Sequence, residues 1–238
     1  MGVKERQERE RRAVRGAILS AARDLFLTEG YRNVSMRKIA ERIEYSPAAI
    51  YSYFDSKDEI FFTLAEEGYH LLANRGTEVL AGVSDPLDAL RRALWAFYEF
   101  SKEHPEYFDL MFLDRSVPSL AQDIARFEFF QQTTARGEAA IRALVDSGVF
   151  KPTLDPAAAL HVLWASLIGP AALRLTGRLG PGEDPDALAR DILESLLAGF
   201  EAGVTTTFNA HECPMRAATH TGDVRPAASA EEDHATHS

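Results

Sequence analysis

Three times in this chain an aspartate stands directly before a proline, at Asp85-Pro86, Asp155-Pro156 and Asp184-Pro185, and apolar residues at helical spacing follow each pair. A carboxylate is a good helix N-cap, and proline suits the first helical turn, where its missing N–H has no partner to lose. Each pair therefore predicts a helix start. Serine gives the same signal at Ser35 before MRKIAERI, at Ser46-Pro47 before AAIYSYF, and at Ser56, where Ser56 to Glu59 reads as a capping box. Val14, Ile18, Ala22, Leu25 and Phe26 ahead of Gly30 predict a first helix from about Arg9 to Glu29, and Met36, Ile39, Ala40 and Ile43 stripe a short second one. A fourth helix runs through Ile60, Leu64, Leu71 and Leu72. A short segment follows His104-Pro105 through Phe112, and a long helix leads from the loop at Val117-Pro118 to near Gly148. Strand patterns are nearly absent, so the expectation is an all-α fold of about nine helices.

Composition limits what such a bundle can do. The chain has 238 residues, 46% of them hydrophobic, with a net charge of -10. The single cysteine, Cys213, excludes an internal disulfide, and neither a signal peptide nor an apolar run long enough to span a bilayer is evident, so a cytoplasmic protein with no membrane role is expected. The charge is uneven. Through Lys57 there are 12 Lys and Arg against 8 Asp and Glu, a net of +4, which leaves -14 for the remainder. A basic front on an acidic body suits a polyanionic partner met at one end. From Thr205 the residues are small and polar without period, and residues 205–238 read as a disordered tail. Its His211, Cys213, His220, His234 and His237 match no metal-ligand spacing, and no P-loop, HExxH, nucleophile elbow or dinucleotide fingerprint occurs, so neither an enzyme nor a metal or cofactor is expected.

Residues 35–60 place two short helices and the start of a third around tight turns. A short helix entering the major groove offers its first-turn residues to base edges while its flanks touch phosphates. Small Pro47, Ala48 and Ala49 permit that approach, and Tyr51 and Tyr53 carry hydroxyls on rigid rings toward the backbone. Ile50 and Phe54 turn inward. Arg37 and Lys38 add charge from the second helix, and Lys57, beside the free N–H groups of the fourth, suits a phosphate oxygen. The run RQERERRAVR fits either a DNA-backbone arm or a solvated helix face.

Phe26, Gly30, Tyr31, Ser35, Ile39, Ala40, the S-x-x-x-I-Y-x-Y-F run from Ser46 to Phe54, and Lys57 resemble the helix-turn-helix of the tetracycline-repressor (TetR) family of bacterial regulators. One departure is Glu44, where relatives usually carry glycine in the turn. The resemblance covers about the first 65 residues well. It implies a DNA-binding domain over residues 1–65, in which Ser35 and Ser46 belong to the interface as helix caps, and a ligand-binding and dimerisation domain over 66–204. EHPEYFDLMFL and LWASLIGPAAL are similar to C-terminal domains of part of the family, with Ile168 where a histidine is common. The resemblance further suggests that the last two helices pair across a two-fold axis through Leu160, Leu163, Leu167 and Leu188, Ile192, Leu196, Phe200.

Trp95, Tyr98, Phe108, Met111, Phe112, Phe127, Phe130 and Trp164 can line a cavity for an apolar effector or simply fill the core. His161, Arg174 and His104, on or beside apolar stretches, can anchor a polar group or rest as satisfied residues. Two function classes follow: a homodimeric, ligand-responsive DNA-binding regulator, most often a repressor, reading a palindromic operator, or a helical interaction protein acting through a protein partner.

Overall fold

A computed structural model describes residues 2–114 and 128–208, side chains of 128–130 excepted. Among them run nine α-helices and no strand: α1 (Val3–Glu29), α2 (Met36–Arg42), α3 (Pro47–Tyr51), α4 (Lys57–Leu80), α5 (Pro86–Glu103), α6 (Pro105–Phe108), α7 (Glu128–Asp146), α8 (Pro156–Leu175) and α9 (Pro185–Ala202). A 3-10 turn, Tyr31–Asn33, follows α1, and a π turn, Asp109–Leu113, continues α6.

The caps fall where sequence places them. Ser35, Ser46, Ser56, Asp85, Asp155 and Asp184 each accept a backbone N–H of the helix they open. Helix α1 begins earlier than its apolar stripe, at Val3, because its Lys, Arg, Glu and Gln residues are strong helix formers and Gly2 N–H is met by the Glu5 carboxylate at 3.0 Å. Helix α3 ends at Tyr51 instead of running to Phe54, and Tyr53 N–H closes a turn on Ile50 C=O at 2.9 Å. The long helix expected after the loop at Val117-Pro118 is described from Glu128 to Asp146. Residues 115–127, where its start was expected, lie outside the described residues, as do those after residue 208.

Packing proceeds through α4, whose 24 residues span about 36 Å. Its first half closes the helix-turn-helix core, with Ile60, Phe61 and Leu64 fully buried beside Ile18, Ile39, Ile50 and Phe54. It packs along α5, and its middle meets α6 and the π turn, with Tyr69 edge-on to Phe112 and Gly68 so close to Met111 and Tyr107 that an added Cβ would clash. One buried cluster runs unbroken from α1 to α9, crossing residue 65.

Helix α8, with a mean hydropathy of 1.5 over its apolar window, is long and apolar enough by composition to cross a membrane, contrary to the sequence reading. It packs against α5, α7 and α9, as a core helix does. Its Leu160, Leu163 and Leu167, with Phe200 of α9, are buried inside this chain and thus cannot form the outward stripe expected of them. Trp164, Ile168 and Leu175 of α8, and Leu188, Ile192 and Leu196 of α9, are only half-buried. An apolar face remains on the outside of the α8–α9 pair.

Candidate nucleic-acid interface and effector region

Helix α3 has five residues, too few to hold itself together in water, so its shape comes from what surrounds it. Ser46 Oγ accepts Ala49 N–H at 3.2 Å, Pro47 fixes the first turn, and Ile50 and Phe54 are buried beneath. The turn from α2 is closed by Tyr45 N–H on Ala40 C=O at 2.9 Å. Pro47 and Ala48 stand exposed and Ala49 half-exposed, as base approach requires. Tyr51 is 52% exposed at the far end. Tyr53 is half-buried under Arg11, whose guanidinium lies 5.6 Å from the ring centroid.

The cations are arranged differently from the sequence reading. Arg37 is paired with Glu41 at 2.8 Å and Lys38 with Glu29, so both are braced within the protein, in exposed pairs that cost little to open. Ser35 serves as cap to Lys38 N–H at 3.2 Å. Lys57 departs most. Its ammonium points inward, donating to Tyr31 C=O at 2.8 Å and Val34 C=O at 3.0 Å and lying 4.0 Å from the Tyr31 ring centroid. Burial lowers its pKa, and the two carbonyls compensate an ammonium that has left water. Lys57 therefore ties the start of α4 to the segment between α1 and α2 instead of standing as a phosphate ligand. Tyr31 completes the knot: its hydroxyl donates to Asp58, and burial, then that bond, push the phenol pKa upward.

Arg11 and Arg15 belong to the RQERERRAVR run, read in the sequence as a DNA-backbone arm or a solvated helix face; their inward contacts were not read there. At helical spacing from the buried stripe of α1, they reach the segment just after α3 and α4 itself, Arg11 donating to Ser52 C=O at 3.4 Å and Arg15 lying 4.7 Å over Phe54. Sequence reasoning missed Tyr45, 43% exposed in the turn itself. For the two arginines the signal was available, since an arginine at helical spacing from a core stripe faces the same neighbours.

The residues considered for an effector do not converge on one lining. Phe108, Met111 and Phe112 pack together with Phe97 between α4, α5 and the π turn, with Phe108 and Phe112 ring centroids 4.9 Å apart. Tyr98 and Trp95 lie elsewhere on α5, 5.1 Å apart. Tyr98 Oη donates to Asp186 at 2.9 Å, and Arg190 sits 5.2 Å over the indole. Arg174 holds Ser101, donating to its carbonyl and, at 3.1 Å, to its hydroxyl. His161 Nδ1 is 2.8 Å from Ala157 C=O, beside Trp164 and Phe208. His104 packs on Phe100. Phe127 and the side chain of Phe130 lie outside the described residues. In this conformation the rings fill one another's space, which is the core reading of them. A crevice of about 570 Å³ opens instead between α1 and the π turn, lined by Phe26, Leu27, Gly30, Arg32, Asp109, Leu113 and Asp114.

Comparison with known proteins agrees with this geometry. Residues 18–64 match the description "Bacterial regulatory proteins, tetR family", and residues 90–196 match "Tetracyclin repressor-like, C-terminal domain". The chain is 30% identical over 98 residues to the HTH-type transcriptional activator FasR of Mycolicibacterium smegmatis, covering 41% of this chain and 45% of that one. It is 25% identical over 139 residues to the HTH-type transcriptional repressor NicS of Pseudomonas putida, covering 58% and 64%. The chain thus spans about half to two thirds of the length of these relatives. A solved regulator, PfmR from Thermus thermophilus, superposes with a TM-score of 0.60 at 28% identity, covering 76% of this chain and 97% of that chain.

Proposed function

Because the chain belongs to the tetR family of bacterial regulatory proteins, we propose that it is a ligand-responsive transcription factor that binds a palindromic operator as a homodimer in the cytoplasm. The observation that carries the reading is the combination at α3: exposed Pro47 and Ala48 on a helix capped by Ser46 and anchored by fully buried Ile50. The outward apolar face of α8 and α9 supports the dimer, since a stripe of Ile168, Leu175, Leu188, Ile192 and Leu196 has no partner within the chain that covers it fully. The DNA-contacting set is then Pro47, Ala48, Ala49, Tyr51 and Tyr53, with Arg37 and Lys38 exchanging carboxylates for phosphates.

Repression relieved by a largely apolar or aromatic effector is the direction we favour. Two recognition helices must lie about 34–36 Å apart to meet successive major grooves, so a ligand that favours another spacing lowers affinity. Helix α4, fixed by Lys57 at one end and by Tyr69 and Gly68 against the aromatic cluster in its middle, is the lever. An effector would open that cluster. Titration of the full chain against its own upstream DNA, with footprinting, tests the reading: protection of an inverted repeat by a dimer supports it, and salt-insensitive or absent binding favours the helical interaction protein instead.

A further inference from the structure

Residues 44–48 are five consecutive exposed positions leading into α3, with half-buried Ile43 and Ala49 on either side. Within this run Pro47 and Ala48 have no hydrogen-bonding side chain, and the Ser46 hydroxyl is engaged as the helix cap. The first turn of α3 can therefore read bases only by shape and apolar contact. Hydrogen-bonding readout there falls to the turn, to Glu44 and Tyr45.

Glu44 is held in an unusual state. Its φ is +60°, and it is the sole non-glycine residue with positive φ among the described residues, the other six being glycines. An L residue there is strained where glycine would not be, and such outliers cluster at binding sites. Its carboxylate makes no hydrogen bond or ion pair among the described residues. A negative side chain beside DNA is repelled by every phosphate. Its one good counterpart in the major groove is cytosine, whose N4 amino group is a donor. Guanine and thymine offer it only acceptors, and adenine sets the acceptor N7 next to its amino group.

We propose that Glu44 is a specificity-determining residue whose carboxylate accepts from a cytosine N4 amino group beside the bases met by Pro47 and Ala48. This rests on the reading that α3 enters the major groove. Strain and repulsion are then the cost of discrimination, because a wrong base leaves the carboxylate desolvated and unpaired.

The test is selection from a randomised DNA pool with the full-length wild type, Glu44→Gln and Glu44→Gly, followed by titration on single-base variants of the selected site and by thermal melting. The wild type should select a motif with cytosine at one position in each half-site. Glu44→Gln, which keeps the backbone strain, should keep the rest of the motif and lose about tenfold of its preference there, or move it toward adenine, which an amide pairs with. Glu44→Gly should lose the same preference while melting higher, since the strain is relieved. Should Glu44→Gln keep the wild-type preference at every position and merely bind all sequences more tightly, the carboxylate only repels and the proposal is overturned. Should the wild type select no motif, the groove reading itself fails, visibly before any variant is made, and takes this proposal with it.

Discussion

The guanidinium of Arg23 donates to the hydroxyl of Tyr107 at 3.1 Å, joining the last third of α1 to α6 across 84 positions of sequence. The same hydroxyl donates to Glu67 of α4 at 3.1 Å, so one phenol links three helices. Nearby, Tyr31 N–H donates to Asp114 at 3.3 Å. The helix-turn-helix is thus fastened to the helical body at two polar points as well as through the continuous apolar core, and a displaced α6 must carry α1 or α4 with it.

Removing the hydroxyl isolates that link. Tyr107→Phe keeps the ring and its stacking under Arg23, 5.5 Å from the guanidinium, but leaves Arg23 and Glu67 without their shared partner. The expected loss is about 1 kcal/mol of stability in urea unfolding. Combined with Arg23→Ala, the loss should be less than additive by about 0.5 kcal/mol or more. Strict additivity would mean that the contact carries no coupling.

The sequence reads Lys57 as a phosphate-facing cation at the start of α4, whereas in the structure its ammonium turns inward. Its two carbonyl acceptors predict that Lys57→Met destabilises the chain by about 1–3 kcal/mol, since each carbonyl loses a charged donor. DNA affinity should fall for all sequences through the loosened α1–α2 segment, with the slope of log affinity against log salt unchanged. A phosphate ligand would instead reduce that slope by about one and leave the melting temperature alone.

Ala48 tests the groove face without touching the core. The residue is exposed and its neighbour Ile50 fully buried, so Ala48→Leu should change melting little, within about 0.5 kcal/mol. It should still weaken operator binding or alter base preference, because the added isobutyl group meets the base edges. Wild-type affinity and preference in this variant would put another element in the groove.

Fold and interface were legible to different depths for a physical reason. Caps and apolar stripes are local, and local chemistry decides where α2, α3, α4, α5, α8 and α9 begin, so Ser46 and Asp184 could be read directly. Which side of a stripe faces the chain's own core depends on distant partners. Leu163 and Trp164 are adjacent in α8, yet one is fully buried and the other half-exposed because of where α5, α7 and α9 lie. Long polar side chains are harder still. Lys38 finds Glu29 and Lys102 finds Asp186 across gaps in sequence that no periodicity encodes.

That last pair carries a pH dependence. Asp186 in the first turn of α9 accepts from Lys102 at 2.7 Å and from Tyr98 at 2.9 Å, tying α9 to α5. The Lys102 hydrogen bond, followed by that of Tyr98, holds the Asp186 pKa below the ordinary aspartate value against the opposing effect of burial. A folded pKa below the unfolded one, near 4, means that the unfolded chain takes up the proton first. The stabilisation is therefore fully present above about pH 4 and is lost as pH falls through the folded value. About a third of the Asp186 side chain faces solvent, 35%, and screening limits the contribution to about 1 kcal/mol or less. Asp186→Asn keeps the shape and an acceptor for Tyr98 but not the charge opposite Lys102. Urea midpoints should separate wild type from variant at pH 7 and converge as the pH falls through the folded pKa of Asp186. A gap that stays constant over this range would show that residue 186 acts through hydrogen bonding alone, with no part for its charge.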